Sequence, residues 1–357
     1  YNLRRFIVKT GWGKIEQWSV LVCHTDDVVE TTANILPRNL DAYVSGTKPN
    51  GVTPKVEYRD ASTTEWRTLS NTEVKTTATT YTATIGGLRP STKYVCRVTA
   101  GEVQLEQQEF TTVSLQQLPN ASFDDWSTDA SNSKLYCPWA AGAKSFSDTG
   151  NRGAPTVGNS NSVPTEDSST GSGKAAYLES KWIVIKFAAG NIFTGSYLKT
   201  DGTNGVLGFG RPFTAFPTKL TFDYKYKSMS IDKADESLAH LKGEPDSCSV
   251  YIALWHVEDN EYEEFQGEKY PLIIRTKPGK DQNLFSPDDS RVIAYGQFTK
   301  GSTVSNWTSE TITLDYKNTE LAPTHILVVA SSSKYGDFFT GGVGSTLVVD
   351  NMKLIYE

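Results

Sequence analysis

The sequence predicts an all-β protein made of two successive units. Three observations carry this expectation. Helical periodicity is nearly absent from the 357 residues. Apolar and polar residues instead alternate in short runs, with Gly, Pro, Ser, Thr and Asn gathered between them. The length exceeds one ordinary domain and suits two, and the strand rhythm pauses at "VSLQQLPN", 113–120. The expected division is 1–113, a linker at 114–119, and 120–357.

The N-terminal half shows the rhythm most clearly. "NLDAYVSG" places Leu40, Ala42 and Val44 on one face, and "PKVEYRD" does so with Val56 and Tyr58. "TYTATIGGL" sets Tyr81, Ala83 and Ile85 against threonines, and "KYVCRVTAG" aligns Tyr94, Cys96, Val98 and Ala100. Strict alternation means one buried and one wet face, as in a sandwich. "GLRPSTKYVCRV" carries Leu-x-Pro-x-Thr-x-Tyr, the pattern of a corner where a strand crosses between sheets and a tyrosine hydroxyl, here of Tyr94, bonds to upstream backbone. With "VEYRDASTTEWRTL" before it, the stretch 31–113 resembles a fibronectin type III domain, an immunoglobulin-like β-sandwich. "LRRFIVKT" and "KIEQWSVLVCH", within 1–30, read as strands: an extra edge of that sandwich, or the end of a preceding module.

Composition removes several function classes. A chain that is 38% hydrophobic and 21% charged is not globally disordered. A net charge of −6, with no basic stripe interleaved with aromatics, does not favour nucleic acid. The longest apolar run, "ILVVA" at 326–330, has strand length, so no transmembrane helix is expected. The sequence starts at Tyr1, which implies a removed leader or a longer precursor. Cys23, Cys96, Cys137 and Cys248 form no C-x-x-C pair, and four scattered histidines give no zinc spacing. Either Cys23 and Cys96 form a bridge, or all four are separate buried thiols. The one helical stretch is "DKADESLAHLKGE", 232–244, with Asp at its start and Gly243 near its end; a mobile loop is the other reading.

The second unit opens with "LPNASFDDW" and closes with "STLVVDNMKLIYE". N-x-x-F-[DE]-x-W and V-D-N-x-x-L resemble the first and last strands of carbohydrate-binding-module jelly rolls. That resemblance implies a structural calcium near Asp124 and Asp350; otherwise both are turn or surface residues. Between them come "PWAAGAKSFSDTGN", "KAAYLESKW", "AAGNIFTGSY", "GFGRPFTAFPTKLTFDYKY" and "DSCSVYIALW". This ordered series resembles the putative carbohydrate metabolism domain of gut Bacteroidetes. The resemblance implies a larger jelly-roll β-sandwich with carbohydrate as partner, in secreted or outer-membrane surface-exposed proteins. It further implies a lipid anchor in a leader outside this sequence and a preceding immunoglobulin-like domain. A monomer is expected, with no cofactor apart from the calcium.

Two strands nominate a site. "KLTFDYKYK" puts Leu220, Phe222, Tyr224 and Tyr226 on one face and Thr221, Asp223, Lys225 and Lys227 on the other. "SVYIALWH" puts Val250, Ile252 and Leu254 opposite Tyr251, Ala253 and Trp255. A concave groove bearing Trp255, Tyr251, Asp223 and Lys225 would take a sugar, the aromatics meeting its C–H face and the charges its hydroxyls. The alternative is a satellite core around Trp255 and Tyr251. Arg211 in "GFGRPFT", held between Gly210 and Pro212, is expected to fork onto Asp148, Asp223 or an acidic sugar. "YCPWAAGAKSFSDTGN", 136–151, offers Tyr136, Trp139, Asp148 and Thr149 as a rim over the groove, or as a plug at the end of the sandwich. "SSSKYGDFFTGGVGS", 331–345, is a long connection whose Asp337 also reaches toward the groove if it is more than a hairpin.

Catalysis on sugars would need paired carboxylates. Asp148, Asp223, Asp232 and Asp337 are the candidates, with Glu179 behind them, and no spacing forces two of them together. The glucanase pattern E-x-D-x-x-E and the elbow G-x-S-x-G are absent, and "GSGKAA" lacks the upstream Gly and the Ser/Thr of a phosphate loop. The sequence therefore favours a non-catalytic glycan-binding protein, ahead of a glycoside hydrolase and of an adhesin.

Overall fold

The structure, a computed structural model, describes residues 29–153, 160–183 and 185–357. The expected strands "LRRFIVKT" and "KIEQWSVLVCH" and the thiol of Cys23 lie outside the described residues. The chain forms two units, one containing 29–37 and 41–112, the other 38–40 and 113–357. Both are antiparallel β-structures, as the alternation requires.

The smaller unit pairs two sheets. One runs Asn34–Pro37, Ala42–Thr47, Thr80–Ile85, Val74–Thr76; the other runs Arg67–Thr68, Lys55–Asp60, Lys93–Ala100, Val103–Gln104, with Gln108–Thr111 also on Lys93–Ala100. The alternating set Ala42, Val44, Val56, Tyr81, Ala83, Ile85, Cys96 and Val98 makes their shared core. The Tyr94 hydroxyl accepts the Arg89 N–H at 3.0 Å, as the corner motif requires, and its ring stacks on Phe110. Cys96 is a free, buried thiol whose pKa burial pushes up to about 12.

The larger unit is a β-sandwich. Its five-stranded sheet runs Ser162–Thr165, Ala175–Glu179, Thr346–Ile355, Lys219–Lys227, Val304–Thr313. Its nine-stranded sheet runs Leu272–Arg275, Asn204–Phe209, Asn191–Asp201, His325–Ser331, Cys248–Trp255, Val292–Lys300, Asp315–Tyr316, with Ser147–Thr149 and Arg211–Pro212 attached at the side. Leu220, Phe222, Tyr224 and Tyr226 from the five-stranded sheet meet Val250, Ile252, Leu254, Ile326 and Val328 from the other. Phe222 and Tyr224 close this layer edge-on against Phe298, with ring centroids 5.6 and 5.1 Å apart.

Two expectations are modified. The stretch expected as a linker is packed into the larger unit. Leu118 is buried, and the Gln117 amide exchanges hydrogen bonds with the Leu354 backbone at 2.7 and 2.8 Å. The expected helix is only a 3-10 turn, Glu236–Leu241, with Asp235 accepting the Ser237 N–H. It buries no residue, so no packing extends it into an α-helix.

The nine-stranded sheet must cover a second face. Half of it carries Ala253, Trp255, Leu272, Ile274 and Leu327, sealed by Tyr262, Leu284 and Phe285 from connections outside the strands. The other half is not sealed in this way, and it carries the cavity described below.

Phe222→Ala should destabilise the larger unit by about 3–5 kcal/mol, because the ring is 1% exposed and its neighbours cannot collapse into the space. Lys227→Ala, on the exposed face of the same strand, should stay within about 0.5 kcal/mol. Urea unfolding of the full chain measures both.

Candidate functional site

A cavity of about 370 Å³ lies over the uncovered half of the nine-stranded sheet. Strand register builds its floor. Gln297 and Val329 flank Tyr251, and Phe193 pairs with Val329, so the four stand in one row across three strand pairings. Ser249 and Ser331 form the next row, and Leu207 and Phe209 extend the apolar part. These side chains line the cavity because their strand neighbours Val250, Ile252 and Val328 point into the sandwich.

Two chain segments make the walls. One is the hairpin Lys181–Ile183 and Lys186–Ala188, which contributes Ile183, Ile185 and Phe187. The other is the connection 331–345, with Asp337 on the 3-10 turn Gly336–Phe338 and Phe339 in the left-handed region at φ 52°. Buried hydroxyls tie the walls together at their base. Ser180 bonds Ser332 and Ser333 at 2.8 and 2.6 Å, and Ser333 donates to the buried Asp246. Asp246 also accepts the N–H groups of Gly342 and Ser247, both at 2.8 Å. Near the mouth the Lys186 ammonium donates to Asn204 and sits 3.3 Å from the centroid of the Phe339 ring. Burial lowers the Lys186 pKa.

Asp337 is the one carboxylate lining the cavity among the described residues. Its side chain keeps some contact with the cavity space, yet protein surrounds it, and this desolvation raises its pKa to about 6. Tyr251 is raised well above the ordinary tyrosine value, first by burial and then by the nearby Asp337 charge. Phe285 stacks on the Tyr251 ring at 5.2 Å and fixes its plane.

Tyr251 and Asp337 are therefore the expected residues that the structure brings together. Trp255 is fully buried in the sealed half, edge-on to Phe285, and serves the satellite core. Gly210 at φ 94° lies against its indole, where a Cβ would come within 2.9 Å. Asp223 and Lys225 stand on the outer face of the five-stranded sheet, on the far side of the sandwich from the cavity. There Asp223 accepts from Ser169, Ser309 and Asn351. Lys225 pairs with Asp167 at 2.7 Å and lies over Trp307. The groove that the alternation placed between Trp255, Tyr251, Asp223 and Lys225 does not form, because the two strands belong to different sheets.

The loop candidates are structural as well. Asp148 is 4% exposed and accepts the N–H groups of Thr149 and Tyr197, both at 2.8 Å. Arg211 reaches neither Asp148 nor Asp223 by a hydrogen bond. Its guanidinium donates to the Phe146 carbonyl at 3.0 Å, the Gly195 carbonyl at 2.6 Å and the Ser196 hydroxyl at 2.7 Å. Trp139 is half-buried beneath Arg152 and does not line the cavity. Within 136–151 Gly150 lines the cavity, and Asn151 anchors the stretch by bracketing the carbonyls of Tyr136 and Ser162 and the N–H groups of Asn161 and Ser162. Asp232 accepts the Val343 N–H, and Glu179 pairs with Lys181.

Asp124 and Asp350 both hold the 168–174 turn. Asp124 accepts the Lys174 N–H at 2.7 Å, and Asp350 accepts the Ser169 N–H at 2.8 Å and the Ser168 hydroxyl at 3.1 Å. Among the described residues no group of three or more His, Cys, Asp or Glu side chains is arranged to hold a metal ion.

Residues 109–355, which span every strand of the larger unit, match the family described as putative carbohydrate metabolism domain. The chain belongs to that family. The putative carbohydrate metabolism domain seen here shares its fold with a putative glycoside hydrolase from Bacteroides thetaiotaomicron. That protein is 21% identical, with 76% of this chain and 82% of that chain covered and a TM-score of 0.50. A putative glycoside hydrolase from Bacteroides vulgatus is 20% identical over 66% of this chain and 97% of that one, with a TM-score of 0.48. A surface glycan-binding protein from Prevotella bryantii is 9% identical over 92% and 77%, with a TM-score of 0.23. No curated protein matches the sequence.

The sequence reading missed Phe193, Gln297, Ser249, Ser331 and the hairpin wall. The one available signal was local: Ile185, 67% exposed, lies in an apolar run with no polar face to turn outward.

Arg211→Ala should cost about 2–3 kcal/mol, since two backbone carbonyls lose their donor, and Arg211→Lys should recover little of it because one ammonium cannot reproduce the fork. Chemical denaturation checks this. The raised Asp337 pKa means the folded protein holds that proton more tightly than the unfolded chain. Its contribution to stability is present below the unfolded value of about 4 and lost as pH rises through about 6. Asp337→Asn should therefore melt above wild type at pH 7.5, with the difference vanishing near about pH 4. A pH series of melting temperatures tests the sign.

Proposed function

We propose that this protein is a non-catalytic carbohydrate-binding protein that holds its ligand in the cavity over the nine-stranded sheet. The observation that carries this reading is the cavity's composition. Phe193, Leu207, Phe209 and the Tyr251 ring give the floor apolar surface beside Ser249, Gln297 and Ser331, and the Asp337 carboxylate and the Tyr251 hydroxyl join them. Among the described residues neither of these polar groups has a hydrogen-bond partner. A sugar supplies both complements, its C–H face to the rings and its hydroxyls to the carboxylate. Membership of the putative carbohydrate metabolism domain family supports the same substrate class. Ile185 and Phe338, exposed on the two walls, offer apolar surface to further units of a chain.

Glycoside hydrolysis usually takes two carboxylates about 5–10 Å apart. Among the described residues the cavity presents one, which favours binding over turnover. In this reading the protein is secreted or displayed on the outer-membrane surface, and the smaller unit serves as a fibronectin type III-like spacer.

Isothermal titration of the full chain against a panel of neutral and acidic mono- and oligosaccharides, with assay of released reducing sugar, tests the reading. Binding without release is expected. Tyr251→Phe should weaken the bound sugar by roughly 3- to 10-fold, the worth of one hydrogen bond. Release of sugar would establish the hydrolase instead, and no binding by any saccharide would end the carbohydrate-binding proposal.

A further inference from the structure

We infer that the cavity selects uncharged sugar residues and rejects uronic acids and sulfated sugars, with Asp337 as the residue that decides. The inference rests on the proposed carbohydrate-binding function and names the ligand class of that same cavity.

The argument starts from what Asp337 lacks. The floor's apolar side chains Phe193, Leu207, Phe209 and Val329 cannot donate, Gln297 donates to Ser249 and Ser331 to the Ser333 carbonyl, and among the described residues no donor reaches Asp337. Two cations also line the cavity, and neither pairs with Asp337. Lys186 donates to Asn204 and lies against the Phe339 ring, and Lys334 lies 5.3 Å from the centroid of Tyr335. The acidic group acting on Lys186 is Asp235, outside the cavity lining. The other ionisable group on the floor, Tyr251, stays neutral and is itself disfavoured as an anion by Asp337. Burial is the cause of the raised Asp337 pKa, with no cation pulling it back down.

An ionised carboxylate accepts hydrogen bonds and donates none. Desolvated and unpaired, it gains most from a ligand that brings O–H donors, and two adjacent sugar hydroxyls can meet its two oxygens. A uronate or sulfate brings acceptors and a second negative charge into the same low-dielectric space, where like charges repel strongly. An Arg fork is the side chain best matched to the carboxylate or sulfate of an acidic sugar. Arg211, the residue whose setting in the sequence suited that role, is instead spent on the carbonyls of Phe146 and Gly195.

The experiment titrates the full chain with matched methyl glycosides. Glucoside and glucuronide, galactoside and galacturonide, and galactoside and its 6-sulfate form the pairs. At pH 7.5 the acidic member of a binding pair is expected to be weaker by about thirtyfold or more. Asp337→Asn should reduce that ratio to below about fivefold, because the amide is uncharged and also donates. In wild type the ratio should shrink in the same direction at about pH 5, where Asp337 takes up its proton while uronates and sulfates stay charged. Equal or tighter binding of the acidic members, or a ratio unchanged by both Asp337→Asn and pH, would overturn the inference while leaving carbohydrate binding intact. Binding of no glycoside at all would overturn both together.

Discussion

The strand Cys248–Trp255 is buried on both faces, and the architecture of the larger unit follows from that constraint. Val250, Ile252 and Leu254 meet the five-stranded sheet, while Ala253 and Trp255 need a second cover on the opposite side. Phe285, Leu284 and Tyr262 supply it for half of the face. Over the other half, the hairpin around Ile185 and the connection carrying Asp337 stand as walls and leave a concave space. The same side-chain alternation thus produces a satellite core at one end of the strand and a cavity floor at the other. What differs is whether a neighbouring connection brings large apolar residues to the sheet.

Buried carboxylates fix the irregular segments around this frame. Asp148, Asp246 and Asp350 are each nearly inaccessible and each accept two or more hydrogen bonds, most from backbone N–H groups. A desolvated carboxylate is costly unless such donors surround it. Where they do, the group holds turns that lack a ladder of their own. Arg211 is the complementary device, a fork of donors that satisfies carbonyls between Phe146 and Gly195. Asp337 departs from this rule. It is a desolvated carboxylate that lines the cavity, and among the described residues no protein donor reaches it.

The candidate site was partly legible in the sequence. Alternation put Tyr251 on the face opposite Val250 and Ile252, and the structure keeps it there, lining the cavity. Alternation also put Asp223 and Lys225 on a face away from Leu220 and Phe222, which is correct, yet that face lies on the other side of the sandwich. Periodicity reports which residues share a face of one strand. It carries no information about which strands become neighbours, so it joined two strands of different sheets into one groove. Trp139, Asp148 and Arg211 stand out in the sequence as an aromatic, an acid and a base among turn residues, but Asp148 and Arg211 hold backbone in place and Trp139 lies beneath Arg152. Phe193 and Gln297 gave no such signal, because each looks like an ordinary strand residue until register sets it beside Tyr251.

The sequence by itself determined the all-β class, the faces of the long strands and the corner at Tyr94, because these depend on local period and on one short motif. Its ordered motifs also carried the resemblance to the family to which the chain belongs. Tertiary structure alone decided which sheet face stays open and, among the described residues, which buried carboxylates find donors. Those outcomes depend on pairings between residues far apart in the chain, such as Ser180 with Ser333 or Asp148 with Tyr197. Burial, and with it the raised pKa of Asp337, is a property of that assembled surround and has no counterpart in the residues on either side of it.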